Sequence, residues 1–186
     1  MSDKIYTIKK QIQKECEQDK IMKGWWFEAH LLGVEKFAKE LLRKFPKADK
    51  EVVMLGVWLH DLQRIHRIKG DHEKIGAREA VKVMKEYGYD PKTIRGVEDI
   101  ILAHSCEKRM PSSLEGKILA TADGMSHYYN DFFLKIAVLG QRDAKEYKKW
   151  LAEKLDRNYN RKLFFPFAKK KIKSRHELFK KLITMG

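Results

Sequence analysis

The 186-residue chain is poor in cysteine and has no long apolar run. The absence of an apolar stretch of about 20 residues excludes an ordinary transmembrane helix. The first residues, Met1 to Tyr6, are followed by charged residues and lack the apolar core of a signal peptide. Cys16 and Cys106 follow no disulfide pattern, which suits a reducing compartment. We therefore expect a cytoplasmic protein that makes no membrane contact.

Proline and glycine, the residues that most often end helices, are also scarce, with four and 11 copies. Between them, apolar residues mostly recur with the period of an amphipathic helix, and no alternating strand pattern persists. Asp49 is a predicted N-cap for a helix from Glu51 to about Ile65, and a polar first helix is predicted to include Glu15 to Ile21. The sequence therefore predicts an all-α fold, a single helical-bundle domain.

The domain organisation follows from size and from the lack of linkers. A chain of 186 residues with 43% hydrophobic content is large enough for one domain with a substantial core. No internal repeat or low-complexity segment divides it. We predict one domain over residues 1–186, with the candidate chemistry at about 24–130 and basic C-terminal helices at about 143–186.

Positive charge is the clearest excess in the composition. The chain has 40 Lys and Arg against 26 Asp and Glu, which gives a formal net charge of +14. Such a field favours anionic partners such as phosphates, nucleotides or nucleic acid. The basic stretch from Arg157 to Lys181 is interleaved with aromatic residues. It can bind nucleic acid through phosphate contacts and stacking, or form amphipathic helices that dock on the core.

Histidine and aspartate residues in apolar surroundings are the main chemical signal. His60-Asp61 closes the apolar run from Val52 to Leu59, so that both side chains can flank one point beside a buried helix. His30 lies within another apolar helical pattern, and Asp123 follows a largely apolar run. Burial of an imidazole or a carboxylate is unfavourable without a hydrogen-bond partner or a cation. Four such groups from three helices predict a metal centre inside the bundle.

The order of these residues resembles that of a known family. His30, then His60-Asp61, then Asp123 match the H…HD…D signature of the HD-domain superfamily of metal-dependent phosphohydrolases, over about residues 24–130. The segment from Asp71 to Ala77 resembles the H-x-x-x-G-A stretch that follows the HD motif, and His104 resembles the later histidine. No attached nucleotidyltransferase, synthetase or sensor domain is found, so we expect a stand-alone member.

The resemblance implies four primary ligands for a divalent metal ion, namely His30, His60, Asp61 and Asp123. His72 and His104 match positions that complete a second ion site in two-metal members of the superfamily and contact substrate phosphate in one-metal members. Each also has an ordinary explanation, His72 as a surface residue after a helix cap and His104 as a histidine favoured at a helix C-terminus. The sequence leaves these alternatives open.

The predicted ligand set indicates the chemistry. Imidazoles and carboxylates without a thiolate suit Mn, Fe, Co, Ni or Mg. Such an ion lowers the pKa of bound water, which then attacks the polarised phosphorus centre of a phosphoester. Asp61 is the candidate for orienting or deprotonating the nucleophile. Arg64 and Lys69 are candidates for neutralising phosphate charge, and Lys69 equally fits an ordinary solvated cation.

The sequence thus predicts an enzyme, a metal-dependent phosphomonoesterase or phosphodiesterase acting on a small phosphorylated substrate, with a nucleotide as the leading candidate. The alternative is a catalytically idle helical module that keeps a metal for stability and binds RNA or a protein through its basic surface. No pattern specifies an oligomeric state. Three histidines match nothing in the motif and are predicted to be solvated or packed behind the ligands: His66, His127 and His176.

Overall fold

The computed structural model describes residues 3–140 and 143–184. Within these ranges every regular element is helical, as the sequence predicts. The α-helices are α1 (Asp3–Gln18), α2 (Leu32–Lys44), α3 (Lys50–Leu59), α4 (Leu62–Ile65), α5 (His72–Glu86), α6 (Pro91–Ala103), α7 (Leu114–Tyr129), α8 (Phe132–Leu139), α9 (Ala144–Asp156) and α10 (Pro166–Thr184). The π-helical segments are π1 (Trp26–Leu31) and π2 (Arg157–Lys162). The end of the predicted C-terminal helical region, Met185 and Gly186, lies outside the described residues.

Aspartate N-caps fix the start of two helices that carry candidate site residues. The Asp49 side chain accepts hydrogen bonds from the backbone N–H groups of Glu51 and Val52 at 3.0 and 3.1 Å, which confirms Asp49 as the N-cap of α3. Asp71 accepts one from the Lys74 N–H at 3.1 Å and makes His72 the first residue of α5. These bonds satisfy N–H groups that have no partner within the helix.

The predicted continuous helix from Glu51 to about Ile65 is wrong at His60-Asp61. α3 ends at Leu59 and α4 begins at Leu62, so the two site residues form the turn between them. His60 Nδ1 donates to the Val57 carbonyl oxygen at 3.0 Å, and that oxygen is the acceptor that the Asp61 N–H would use in a continuous helix. Asp61 has φ −106° and ψ 17°, outside the helical region.

The prediction for the first helix is right only in part. α1 runs from Asp3 to Gln18, so it includes the start of the predicted segment at Glu15 but ends before Ile21. It is not wholly polar, because its spaced apolar residues, Ile5, Ile8, Ile12 and Cys16, form one buried stripe. The stripe packs against α3 and π1.

α3 is the central helix of the bundle. All its residues from Val52 to Leu59 are buried, and it contacts α1, α2, α5, α6 and α7. The buried apolar side chains form one cluster that extends from Ile5 on α1 to Ile172 on α10. In the described ranges, no helix combines the length and the apolarity needed to cross a bilayer. Because the central helix ends at Leu59, the turn that follows it places His60 and Asp61 in the middle of the bundle.

Aromatic side chains hold the basic C-terminal stretch against the bundle. The Phe165 and Phe167 rings lie with their centroids 4.4 and 6.3 Å from that of Phe45, at the end of α2. Phe179 on α10 makes an edge contact with Phe133 on α8, with centroids 4.9 Å apart. This is the docked arrangement expected of amphipathic helices. Nucleic-acid binding by the outward-facing lysines stays a prediction.

We expect Gly76→Ala to destabilise the fold by about 1–3 kcal/mol. A Cβ at Gly76 on α5 would lie 3.1 Å from the backbone oxygen of His60, and a backbone atom cannot rotate away as a side chain can. Thermal unfolding measures the change. Gly96→Ala is the control, because its Cβ would meet only the Val52 side chain, at 3.3 Å, and alanine favours the helix. Equal losses of stability in the two variants would contradict the tight contact between α5 and His60.

Candidate metal centre

The six candidate ligands predicted from sequence lie together at the centre of the bundle. They come from π1, the C-terminal ends of α3 and α6, the first residue of α5 and the middle of α7. All are buried except His72, which is half-buried. Their ligand atoms form groups within 4.8 Å of one another, namely His30–His60–Asp61, His60–His104–Asp123 and Asp61–His72–His104. The fold therefore positions histidine and aspartate groups that can hold a metal ion.

The Asp61 carboxylate lies between two sets of groups. Its Oδ2 is 3.0 Å from His30 Nε2 and 3.5 Å from His60 Nε2. Its Oδ1 is 3.2 Å from His72 Nε2 and 3.4 Å from Arg64 Nε. The two oxygens of one side chain thus face different neighbours, which is the arrangement of a carboxylate that can serve two cations.

Two of the imidazoles are oriented by the helices that they end. His60 follows the last residue of α3, and its Nδ1 donates to the Val57 oxygen at 3.0 Å. His104 follows the last residue of α6, and its Nδ1 donates to the Ile101 oxygen at 2.7 Å. Each Nδ1 therefore carries the proton, and each Nε2 presents a lone pair. His60 Nε2 is buried and has no hydrogen-bond partner in the described residues.

The Nδ1 atoms of His72 and His30 also carry the proton, because each faces a side-chain acceptor. His72 Nδ1 donates to Gln63 Oε1 at 3.1 Å. The Ser126 hydroxyl donates to the Asp123 backbone oxygen at 2.8 Å, so its oxygen is the acceptor for His30 Nδ1 at 3.4 Å. Hydrogen bonding of Nδ1 by a group behind the ligand is how proteins fix the tautomer of metal-binding histidines.

This proton arrangement fits a bound cation. The Nε2 atoms of His72 and His104 are 3.2 Å apart, and each carries a lone pair when Nδ1 holds the proton. His30 Nε2 likewise directs a lone pair at the Asp61 carboxylate. Lone pairs at these distances repel one another unless a positive charge lies between them. The donor set therefore suits a divalent ion.

The titration behaviour of the cluster also suits metal binding. Burial lowers the pKa of His30 and of His104, so both imidazoles are neutral at neutral pH. Burial alone would raise the pKa of Asp61, but the surrounding His60, His30 and His72 side chains outweigh it and hold the pKa well below its usual value. Neutral imidazoles with ionised carboxylates form the protonation state that binds a metal ion.

His127 and Lys162 are part of the site, although the sequence did not assign them to it. Asp123 Oδ1 lies 3.3 Å from His127 Nε2, and Asp123 Oδ2 forms a buried ion pair with Lys162. Asn158 donates to His127 Nδ1 at 3.1 Å, which leaves the proton on Nε2, facing the carboxylate. Of the two expectations for His127, solvation is wrong, and packing behind a candidate ligand is found. Its ring also stacks on that of His30, with centroids 5.1 Å apart.

The spacing of Asp123 and His127 could have identified the second of these residues, because positions four apart share one face of a helix. Lys162 carries no such signal, since it is one of many lysines in the C-terminal half. Its role depends on π2 packing against α7, where Thr121 Oγ1 donates to the Lys162 backbone oxygen at 2.9 Å. Lys162 is only 1% exposed, and its position beside Asp123 therefore results from tertiary packing.

A cavity of about 680 Å³ opens beside the cluster. Arg64 and Lys69, the predicted phosphate contacts, both line it, and Lys69 is exposed. One part of the lining is cationic, formed by Arg64, Arg67, Lys69, Lys154, Arg157 and Lys162. Another part is apolar, formed by Ile21, Met22, Trp26, Phe132, Ile136 and Trp150. The cavity can therefore receive a small molecule that has an anionic group and an apolar group.

Comparison with known proteins agrees with this geometry. A family model described as the HD domain matches residues 27–127. The chain belongs to the HD domain family. This is a family of metal-dependent hydrolases, and the matched range of the HD domain includes all six candidate ligands. The C-terminal helices, which supply Lys154 and Lys162, lie beyond that range.

The fold of this HD domain protein is shared with a solved structure. The crystal structure of a predicted HD superfamily hydrolase from an uncultured Thermotogales bacterium superposes with a TM-score of 0.61. The two sequences are 20% identical, and the match covers 96% of this chain and 88% of the other. At that identity the likeness concerns the fold. Among curated proteins, no significant match to the chain is found.

Proposed function

We propose that the protein is a metal-dependent phosphohydrolase acting on a small phosphoester, with a nucleotide as the leading candidate. The observation that carries the proposal is the convergence of four imidazole Nε2 atoms on the Asp61 and Asp123 carboxylates beside a cationic cavity. Membership of the HD domain family supports hydrolysis. The positive charge of the cavity supports a phosphoester as the substrate.

The candidate ligands divide into two sets. Four of them would hold the first ion, namely His30, His60, Asp61 and Asp123. Asp61 Oδ1, with His72 and His104, would hold a second. The ligand chemistry suits Mn, Fe, Co, Ni or Mg. When bound, such an ion lowers the pKa of water and polarises a phosphoryl oxygen.

Three charged side chains have proposed roles in the reaction. Asp61 Oδ1 faces His72 and Arg64, and besides holding the second ion it would orient the attacking water by accepting a hydrogen bond on its other lone pair. Arg64 is 48% exposed, which leaves its guanidinium free to move from Asp61 to a phosphate oxygen. Lys69 lines the same cavity and would contribute a further positive charge at its exposed side.

The apolar part of the cavity supports a substrate with an aromatic group. The Trp26 and Phe132 rings lie with their centroids 5.0 and 5.3 Å from that of His30, so the apolar lining begins next to the candidate ligands. Trp150 lines the cavity from α9. Aromatic side chains stack on planar rings such as nucleobases. A volume of about 680 Å³ is within the range of small-molecule sites.

The proposed function is tested by a screen of phosphomonoesters, phosphodiesters and nucleotides with added Mn, Co, Ni or Mg. We expect Asp61→Ala to abolish both metal binding and hydrolysis, because it removes a ligand shared by both sets. His66→Ala is the control, since His66 pairs with Glu15 at 3.2 Å outside the cavity, and it should change neither property. Equal losses in the two variants would contradict the assignment. A protein that binds metal and hydrolyses none of the compounds would favour the idle RNA-binding or protein-binding module.

The number of ions is tested by titrating metal-free protein with Mn²⁺. We expect saturation at two ions per chain, because the two oxygens of Asp61 face separate histidine sets. His72→Ala and His104→Ala should each reduce the stoichiometry toward one while the first ion remains. Saturation at one ion in the unmodified protein and in both variants, with only KM or kcat impaired, would contradict the second site and make these histidines phosphate contacts.

A further inference from the structure

The cationic side chains of the cavity are not all balanced by carboxylates. Four of the six form ion pairs, namely Arg64 with Asp61, Arg67 with Asp19, Arg157 with Glu107 and Lys162 with Asp123. Over residues 3–140 and 143–184, Lys69 and Lys154 form no ion pair. Lys69 is exposed, so water solvates its charge. Lys154 is half-buried, and its ammonium group has neither full solvation nor a carboxylate partner.

Lys154 is held in the cavity wall by the packing of α9. Leu151 and Leu155, on the same side of the helix, are buried in the apolar cluster. The Tyr128 hydroxyl on α7 donates to the Leu155 backbone oxygen at 3.2 Å, which ties α9 to the helix that carries Asp123. These contacts fix the helix that presents the Lys154 side chain to the cavity.

The surroundings of Lys154 disfavour its positive charge when no anion is bound. Burial, followed by the charge of Lys162, lowers the pKa of Lys154 to about 7. An anion in the cavity would supply the missing partner. Charge-assisted hydrogen bonds of this kind are among the stronger polar contacts in proteins.

We propose that Lys154 binds a second anionic group of the substrate, in the same cavity as the phosphate that the candidate metal centre receives. The substrate role rests on the proposed function. The ligand class is a phosphoester that carries a further phosphate or another anionic group, such as an organic pyrophosphate. Lys154 lies beyond residues 27–127, so the C-terminal helices supply this specificity from outside the matched HD domain.

The proposal is tested by calorimetric titration with orthophosphate and with pyrophosphate, in Mg²⁺ kept in large excess so that pyrophosphate cannot strip ions from the protein. We expect pyrophosphate to bind the unmodified protein about tenfold more tightly than orthophosphate. Lys154→Met should weaken pyrophosphate binding by about tenfold and leave orthophosphate binding unchanged. Lys154→Arg keeps the charge and should retain most of the pyrophosphate affinity. Lys149→Met is the matched control, because Lys149 is an exposed lysine of the same helix.

Undiminished pyrophosphate binding by Lys154→Met would overturn the proposal, and so would an equal loss in Lys149→Met or a lack of preference in the unmodified protein. If circular dichroism shows that Lys154→Met is unfolded, Lys154→Gln takes its place under the same criteria. The measurement needs no turnover. If Lys154→Met loses pyrophosphate binding but the unmodified protein hydrolyses no phosphoester, the proposed function is rejected and the anion site at Lys154 is kept. If the unmodified protein hydrolyses a phosphoester but Lys154→Met binds pyrophosphate normally, the proposed function is kept and the anion site is rejected.

Discussion

The candidate metal centre depends on which nitrogen of each imidazole carries the proton. His60 and His104 donate their Nδ1 protons to backbone oxygens three residues earlier, and His72 donates to Gln63. With Nδ1 committed in this way, the Nε2 lone pairs are directed at the carboxylates or at one another. That arrangement is unfavourable without a cation and favourable with one. The local bonds therefore determine the chemistry that the cluster can perform.

The helix ends make this arrangement possible. Because the buried helix α3 ends at Leu59, His60 and Asp61 lie in the turn that follows it, and both side chains reach the same cluster. The C-terminal segment completes the site from the other side. Lys162 and Asn158 lie behind Asp123 and His127, so the segment beyond the matched HD domain contributes to the electrostatics of the centre. The docked basic C-terminal segment thus supplies part of the cationic lining of the cavity.

Much of the site could be predicted from the order and the surroundings of its residues. His30, His60, Asp61 and Asp123 stand out because each interrupts or ends an apolar helical pattern, and Asp49 marks a helix start by its capping chemistry. Their roles as ligands remain proposals, but their convergence is a feature of the fold.

The rest of the site could not be predicted because it depends on competition or on tertiary packing. At the break after Leu59 the His60 side chain donates to the Val57 oxygen, and helical periodicity does not report such a side-chain competitor for a backbone acceptor. The buried stripe of α1 is narrow and lies among many charged residues. Lys154 and Lys162 are two of 40 basic residues, and only the packing of α9 and π2 against α7 selects them.

X-ray absorption spectroscopy of the Mn²⁺-loaded protein tests the central claim most directly, because it reports the atoms around the ion. We predict a first shell of nitrogen and oxygen without sulfur, and outer-shell scattering from at least two imidazole rings. A first shell of oxygen alone, without imidazole scattering, would show that the converging Nε2 atoms do not bind the ion and would contradict the account.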